Sequence, residues 1–411
     1  MFPFKEVTPM LLGTLGAVVT DPLFWLVVAI VALQYNRMGK VKERFFGLKP
    51  RGTWRDVLLA TGFGLLGGVA ASYLMVGIGL TLSGSGLIYL WPLAILLMLV
   101  DARFLCFAYA GGILALSSLI FGWPDVSVPQ VLGLVAVLHM VEALLILVSG
   151  HMGAVPTFIK NTEGRVVGGF ALQKFWPIPL AALVVAGYSS TPAGGIGMPD
   201  WWPLIRGELG RDMDQVIYAL MPVVAGLGYG DLAAARTPEQ KSRISSVILA
   251  LYSLVLLGLA VLADRSLIMG FVAALFSPLG HELVIFIGKR LETGKSIYQP
   301  PSRGVKLLDV IPGYPAWQAG LRSGDIILEV NGMAVNGRQG LEFALNIYHQ
   351  QPQLTYWSAK EDKVYREGMD HSLKGMMGIL PVPEGNEESF MELSTGGPVK
   401  RWFNNLLGKG R

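Results

Sequence analysis

His139 and Glu142 stand three residues apart in an otherwise apolar run, VLGLVAVLHMVEALLILVSG. On a helix they share a face and can touch. Ionisable side chains inside a membrane span are costly, which makes them candidate functional groups by default. The pair could pass a proton or an ion, or contribute to a metal site. The structural alternative is a mutually satisfied polar pair that ties helices together. His281-Glu282 opens like the zinc motif H-E-x-x-H, but position 285 is isoleucine. That motif works by placing two imidazoles on one helix face around one ion, so the second ligand is missing. It follows Pro278 and Gly280, where a helix break is expected, and helix packing is the plainer reading. The Ser83-Gly84-Ser85-Gly86 turn has serine where a Gly-x-Ser-Gly nucleophile motif needs its first glycine. The single cysteine, Cys106, lies in an apolar run and reads as a small core residue, with no partner for an internal disulfide. The residues thus contain no complete catalytic set, and no catalytic residue, metal or cofactor is expected.

Composition defines the elements that must carry these residues. Of 411 residues, 52% are hydrophobic and only 15% charged, with 51 glycines and a mean hydropathy of +0.51. Apolar runs of about 20 residues, long enough to cross a bilayer core, recur through the first 290 positions. The net charge of +4 suits basic membrane-flanking loops, and no nucleic-acid footprint is visible. A first span over 10–33 contains Asp21-Pro22. It lacks a basic leader and a cleavage site, so it reads as retained. The segment after it carries Arg37, Lys40, Lys42, Arg44, Lys49, Arg51 and Arg55 against Glu43, which places it in the cytoplasm. Further spans are expected at 57–82, 87–100, 104–121, 128–148, 244–263 and 267–287. Gly62, Gly64, Gly67 and Gly68 would allow close helix contact in the first of these. Two weaker, proline-containing spans are expected at 175–187 and 216–232. Asp101 and Arg103 read as a surface ion pair. The total is about eight or nine crossings over 1–290, closing on the basic pair Lys289-Arg290.

Beyond a short linker (291–302) the pattern changes to that of a soluble module over 303–380. Its sequence GVKLLDVIPGYPAWQAGLRSGDIILEVNG contains the turn and helix Pro312-Gly313-Tyr314-Pro315-Ala316, then Ala319-Gly320-Leu321, Gly324-Asp325-Ile326-Ile327 and Val330-Asn331-Gly332. This resembles a bacterial PDZ domain in its circularly permuted order. The resemblance implies peptide binding by strand addition. Arg303, Gly304 and Val305 would form the entry to a carboxylate-binding loop. Lys306, Leu307 and Leu308 would run along the groove strand over 305–310, facing Leu341 and Leu345 on a helix over 340–349. The tail, 381–411, holds a flexible stretch. After it, Val399, Trp402, Phe403, Leu406 and Leu407 make one apolar stripe, an amphipathic helix over 398–408 suited to an anionic lipid surface or to docking on the module.

The fold class expected is therefore a membrane all-α polytopic helical domain followed by a small α+β PDZ domain. This arrangement, together with the stretches VLHMVEALLILVSG and VVGGFALQKFWPIPL, is similar to the MinJ family of bacterial division-site topology proteins. The resemblance implies a non-enzymatic scaffold or adaptor in the bacterial cell membrane, with the PDZ domain in the cytoplasm. It also implies protein partners: a polar coiled-coil scaffold of the DivIVA type and a Min ATPase of the MinD type. The alternative is a PDZ-regulated membrane protease-like enzyme or transporter using His139 and Glu142.

Overall fold

The computed structural model describes residues 1–47, 53–160, 165–188, 195–206, 216–347, 352–369 and 377–385. The expected helix over 398–408 lies outside them. The chain forms a helical membrane part followed by a PDZ domain, as its composition and motifs imply.

Helices α1 (Phe4–Thr20) and α2 (Pro22–Phe46) meet at a bend of 64°. Asp21 makes this junction: its carboxylate accepts from the Leu23 N–H at 2.7 Å, and Pro22 occupies the first helical position. There follow α3 (Thr53–Ile78), α4 (Leu87–Val100), a 3-10 turn (Ala102–Leu105), α5 (Phe107–Phe121) and α6 (Val128–Ser149). Later come α7 (Pro238–Ala263), opened by a Thr237/Gln240 capping box, and α8 (Leu267–Glu292). Among the described residues four helices are long and apolar enough to cross a membrane, or five if the bent α1–α2 pair counts as one span. α4 and α5 are shorter apolar helices. The α6 helix is the hub, buried along most of its length and packed on α3, α5, α7 and α8.

The two weaker spans are not helices. Residues 175–187 and 216–232 lie in long antiparallel strands, β2 (Val166–Tyr188) and β3 (Val216–Ala233), preceded by the short strand β1 (Val155–Lys160). Pro177 and Pro179, two positions apart, favour the change. Each would remove a helical hydrogen bond and clash with the preceding turn, at a cost of about 3 kcal/mol or more. In a strand, alternate positions share an edge, and both prolines fall where a missing N–H costs nothing.

That edge of β2 is sealed residue by residue. The Pro177 and Pro179 carbonyl oxygens lie against Gly64 and Gly68 of α3, each so close that an added Cβ would sit 2.1 Å away. Ala181 N–H donates to Ser72 Oγ at 2.9 Å, Leu183 accepts from Leu82 N–H at 2.8 Å, and Val185 N–H donates to Ser83 Oγ at 3.0 Å. In an apolar setting unsatisfied backbone groups cost several kcal/mol each, so an open edge must be closed in this way. The glycines expected to bring two helices together thus divide their work: Gly64 and Gly68 admit a strand, whereas Gly67 meets Leu145 of α6.

At one end of the hairpin an ion pair with a buried lysine anchors it to the helices. Lys241, fully buried on α7, reaches Asp231 of β3 at 3.2 Å and donates to the Gly288 carbonyl at 2.8 Å. Ser245 and Tyr229 hydroxyls donate to the same Asp231 oxygen at 2.7 and 3.2 Å.

The PDZ domain contains β4 (Val305–Val310), a short α9 (Pro315–Gln318), β5 (Ile326–Val330), β6 (Met333–Ala334), α10 (Gly337–Ile347), β7 (Gln353–Ser358), β8 (Lys363–Gly368) and β9 (Ile379–Pro381). Its sheet runs β8-β7-β5-β4-β9, with β6 on β5. Asp325 organises the turn before β5. Its carboxylate accepts from the Arg322 N–H at 2.7 Å and the Ala359 N–H at 2.9 Å.

The two faces of the β4–β9 pair have different partners. Leu307, Val310, Leu341, Ala344 and Ile379 close the domain's own core. Leu308, Leu380 and Val382 join the core of the membrane part, together with Tyr298, Phe170 and Tyr35. The linker cements the seam: Gly168 N–H donates to the Tyr298 carbonyl at 3.1 Å, and the Tyr298 ring meets Phe170 edge-on at 5.2 Å. β9 also touches α2. The domain therefore packs on the helix that bears Arg37, Lys40 and Lys42.

Candidate functional site: the open edge of the PDZ sheet

Strand addition needs a strand with one unpaired edge. β4 does not offer one. Val305 and Lys306 pair with Ile327 and Ile326 of β5, while Leu307, Asp309 and Val310 pair with Pro381, Leu380 and Ile379 of β9. Leu307 N–H donates to the Asp325 carbonyl at 2.8 Å, and Val382 N–H to the Lys306 carbonyl at 3.0 Å. The expected carboxylate-loop entry is committed as well. The Gly304 amide donates to Asn336 Oδ1 at 2.9 Å, and a Cβ on Gly304 would lie 2.6 Å from the Ile327 carbonyl oxygen. Arg303 is exposed beside it, at the end of β4 where α10 begins. Val305 and Leu307 are core residues of the domain, and Leu308 is buried toward the membrane part.

The terminal strand on that side is β9. Among the described residues it has β4 on one edge and no strand on the other. Gly378, with φ +74°, turns the chain into it against the Tyr314 ring. On leaving β9 the chain passes the start of α10, where Glu384 accepts from the Arg338 N–H at 2.5 Å and so caps the helix. Ile379 of β9 and Leu345 of α10 both rest, partly buried, on the domain core. Leu341, one turn earlier, is buried beneath. Phe343 and Ile347 of α10 remain exposed, at 63% and 48%. Of the residues expected to line a groove, Leu341 and Leu345 stand on α10, which packs on β4 and β5, and Ile379 of β9 rests on the same domain core. That strand closes the sheet out of sequence order, and the only sequence signal for it is the apolar Gly378-Ile379-Leu380 before Pro381.

The polar residues of the membrane part meet where α5, α6 and α8 converge. His139 is 3% exposed. Its partners are the Val135 carbonyl and, on a neighbouring helix, Cys106: its Nε2 lies 3.1 Å from Cys106 Sγ, and Cys106 Sγ lies 3.5 Å from His281 Nε2. Glu282 accepts from Tyr109 Oη at 2.9 Å and pairs with Arg103 at 3.2 Å. Asp101, expected at the surface, is 3% exposed and accepts from the Arg103 N–H at 3.2 Å, capping the 3-10 turn. Cys106, read from sequence as core filling, is the centre of this group.

Two matches to known proteins follow this geometry. A family model described as PDZ domain matches residues 307–344, from β4 into α10. The chain is also similar to a protein of Bacillus subtilis (strain 168), cell division topological determinant MinJ, with 25% identity over 359 residues, 79% of this chain and 83% of MinJ.

Proposed function

We propose that this chain, assigned to the MinJ family by its match to MinJ and its PDZ domain, is a non-enzymatic membrane adaptor that uses the β9–α10 groove to bind protein partners during division-site placement. The observation that carries this reading is β9, which among the described residues has no strand on its outer edge, in a domain packed against the membrane part. A strand-adding peptide would use the free backbone of Ile379 and the Pro381 carbonyl, with its side chains directed toward Leu345 and the exposed face of α10. Pro381 has no N–H to give, so the groove favours ligands anchored by side-chain pockets as much as by backbone pairing.

The PDZ domain faces the cytoplasm in this reading. Support comes from the basic residues of α2, which lie at the end of the membrane part that β9 touches, and from Lys289-Arg290 at the end of α8. By likeness to the family, the partners are a DivIVA-type scaffold and a MinD-type ATPase. The test is cellular. A fluorescent full-length chain and its Leu345→Arg variant are compared for recruitment of the two partners to division sites, with reporter fusions after Arg290 and after Gly194 establishing sidedness. The reading expects opposite sidedness and loss of recruitment in the variant at normal abundance. Retained recruitment would move recognition to the membrane part.

A further inference from the structure

The convergence of α5, α6 and α8 places three metal-ligating atoms face to face. Cys106 Sγ and one ring nitrogen each of His139 and His281 all lie within 4.8 Å of one another. Around a tetrahedral zinc-like ion, with metal–sulfur near 2.3 Å and metal–nitrogen near 2.0 Å, ligand atoms stand roughly 3.3–3.8 Å apart. The two sulfur–nitrogen distances, 3.1 and 3.5 Å, are close to that spacing.

Proton accounting argues that something other than a hydrogen sits between them. His139 Nδ1 is 2.7 Å from the Val135 carbonyl, an acceptor, so Nδ1 must carry the proton and Nε2 must present a lone pair. His281 Nδ1 is 3.3 Å from Tyr109 Oη, and that hydroxyl donates to the Glu282 carboxylate. His281 Nδ1 must then donate to Tyr109, which again leaves Nε2 as a lone pair. Two imidazole lone pairs therefore face one sulfur. A thiol has a single hydrogen and can satisfy only one of them. Metal-bound histidines show the same outer arrangement, each fixed through its far nitrogen by a carbonyl or a carboxylate relay. Glu282 is in turn held by Arg103 at 3.2 Å. Cys106 is also the N-cap of α5, with the Ala108 N–H directed at its sulfur at 3.5 Å.

We propose that Cys106, His139 and His281 bind one divalent metal ion of zinc type. The donor set of one thiolate and two imidazoles suits a borderline-soft ion and disfavours magnesium or calcium, which take oxygen ligands. The ion joins three helices, so it is a tie within the membrane part. It stands apart from the peptide groove, and neither depends on the other.

The test uses the purified full-length chain in nanodiscs, stripped with chelator, loaded with zinc or cobalt(II) alone, and desalted. The expected result is about one retained equivalent of metal, with a thiolate-to-cobalt charge-transfer band in the cobalt form. Cys106→Ser should abolish the band, and His139→Ala and His281→Ala should each lower metal retention about tenfold or more. The wild-type cobalt spectrum decides the question even if a variant fails to fold. Failure to retain metal, a cobalt spectrum without the thiolate band, or equal retention by folded variants would overturn the site.

Discussion

Asp309 is the residue through which pH should act on the seam between the PDZ domain and the membrane part. It lies on β4, near Tyr298 of the linker and Lys42 of α2. Burial pushes its carboxyl from the usual 3.8 up to about 6, although Lys42 and the Val310 N–H each oppose the rise. The packed state therefore holds this proton more tightly than the separated or unfolded chain. The stabilisation it brings is complete below about pH 4 and is lost as pH rises through about 6. At neutral pH, where the buried carboxylate is charged, a rise of this size corresponds to about 3 kcal/mol of unfavourable burial. Asp309→Asn keeps the shape, and its amide oxygen can still accept from the Val310 N–H, which Asp309 Oδ1 accepts at 2.9 Å. The variant should regain much of that energy at pH 7.5. The assay is hydrogen exchange of β4 and β9 amides in the full chain between pH 4.5 and 7.5, corrected for intrinsic exchange rates. Wild-type protection should fall across this range and the variant's should not. A variant that follows the wild-type profile, or loses protection at pH 7.5, would refute the reasoning.

Other substitutions probe the remaining supports. Asp325→Ala leaves the Arg322 and Ala359 N–H groups without their carboxylate and should destabilise the PDZ domain by about 1–3 kcal/mol, read as a lower melting midpoint of the domain. Lys241→Ala leaves Asp231 its Ser245 and Tyr229 donors but removes its cation, and should cost about 1–3 kcal/mol, seen as protease cleavage within β3 at lower temperature. Leu308→Ala opens a cavity at the seam. It should cost about 2–5 kcal/mol and raise proteolysis of the linker before the domain itself unfolds.

The PDZ turns were legible because glycine and proline at defined offsets leave few alternatives. Gly313, Gly320, Gly324 and Gly332 all adopt the positive φ that their positions suggest. The strong helices were legible from length and hydropathy alone. The hairpin was not: an apolar run of about 20 residues reads as a membrane helix, and the strands β2 and β3 are several times the usual strand length. Pro177, Pro179 and Pro222 were visible in those runs, but a kinked helix also accounts for them. β4, expected as the groove strand, is the better apolar segment but is paired on both edges, and the sheet ends in β9, some seventy positions later. Cys106, His139 and His281 escaped as a group because each comes from a different helix, and linear spacing carries no sign of their meeting.

The central claim, that partners are taken up between β9 and α10, is tested most directly by affinity. The full-length chain in nanodiscs is titrated with the DivIVA-type scaffold and the MinD-type ATPase of its own organism, as wild type, Leu345→Arg and Arg303→Ala. The account predicts that Leu345→Arg weakens binding about tenfold or more, since a charge replaces an apolar side chain that rests on the domain core, while Arg303→Ala stays within about twofold. Unchanged binding by a folded Leu345→Arg chain would contradict it.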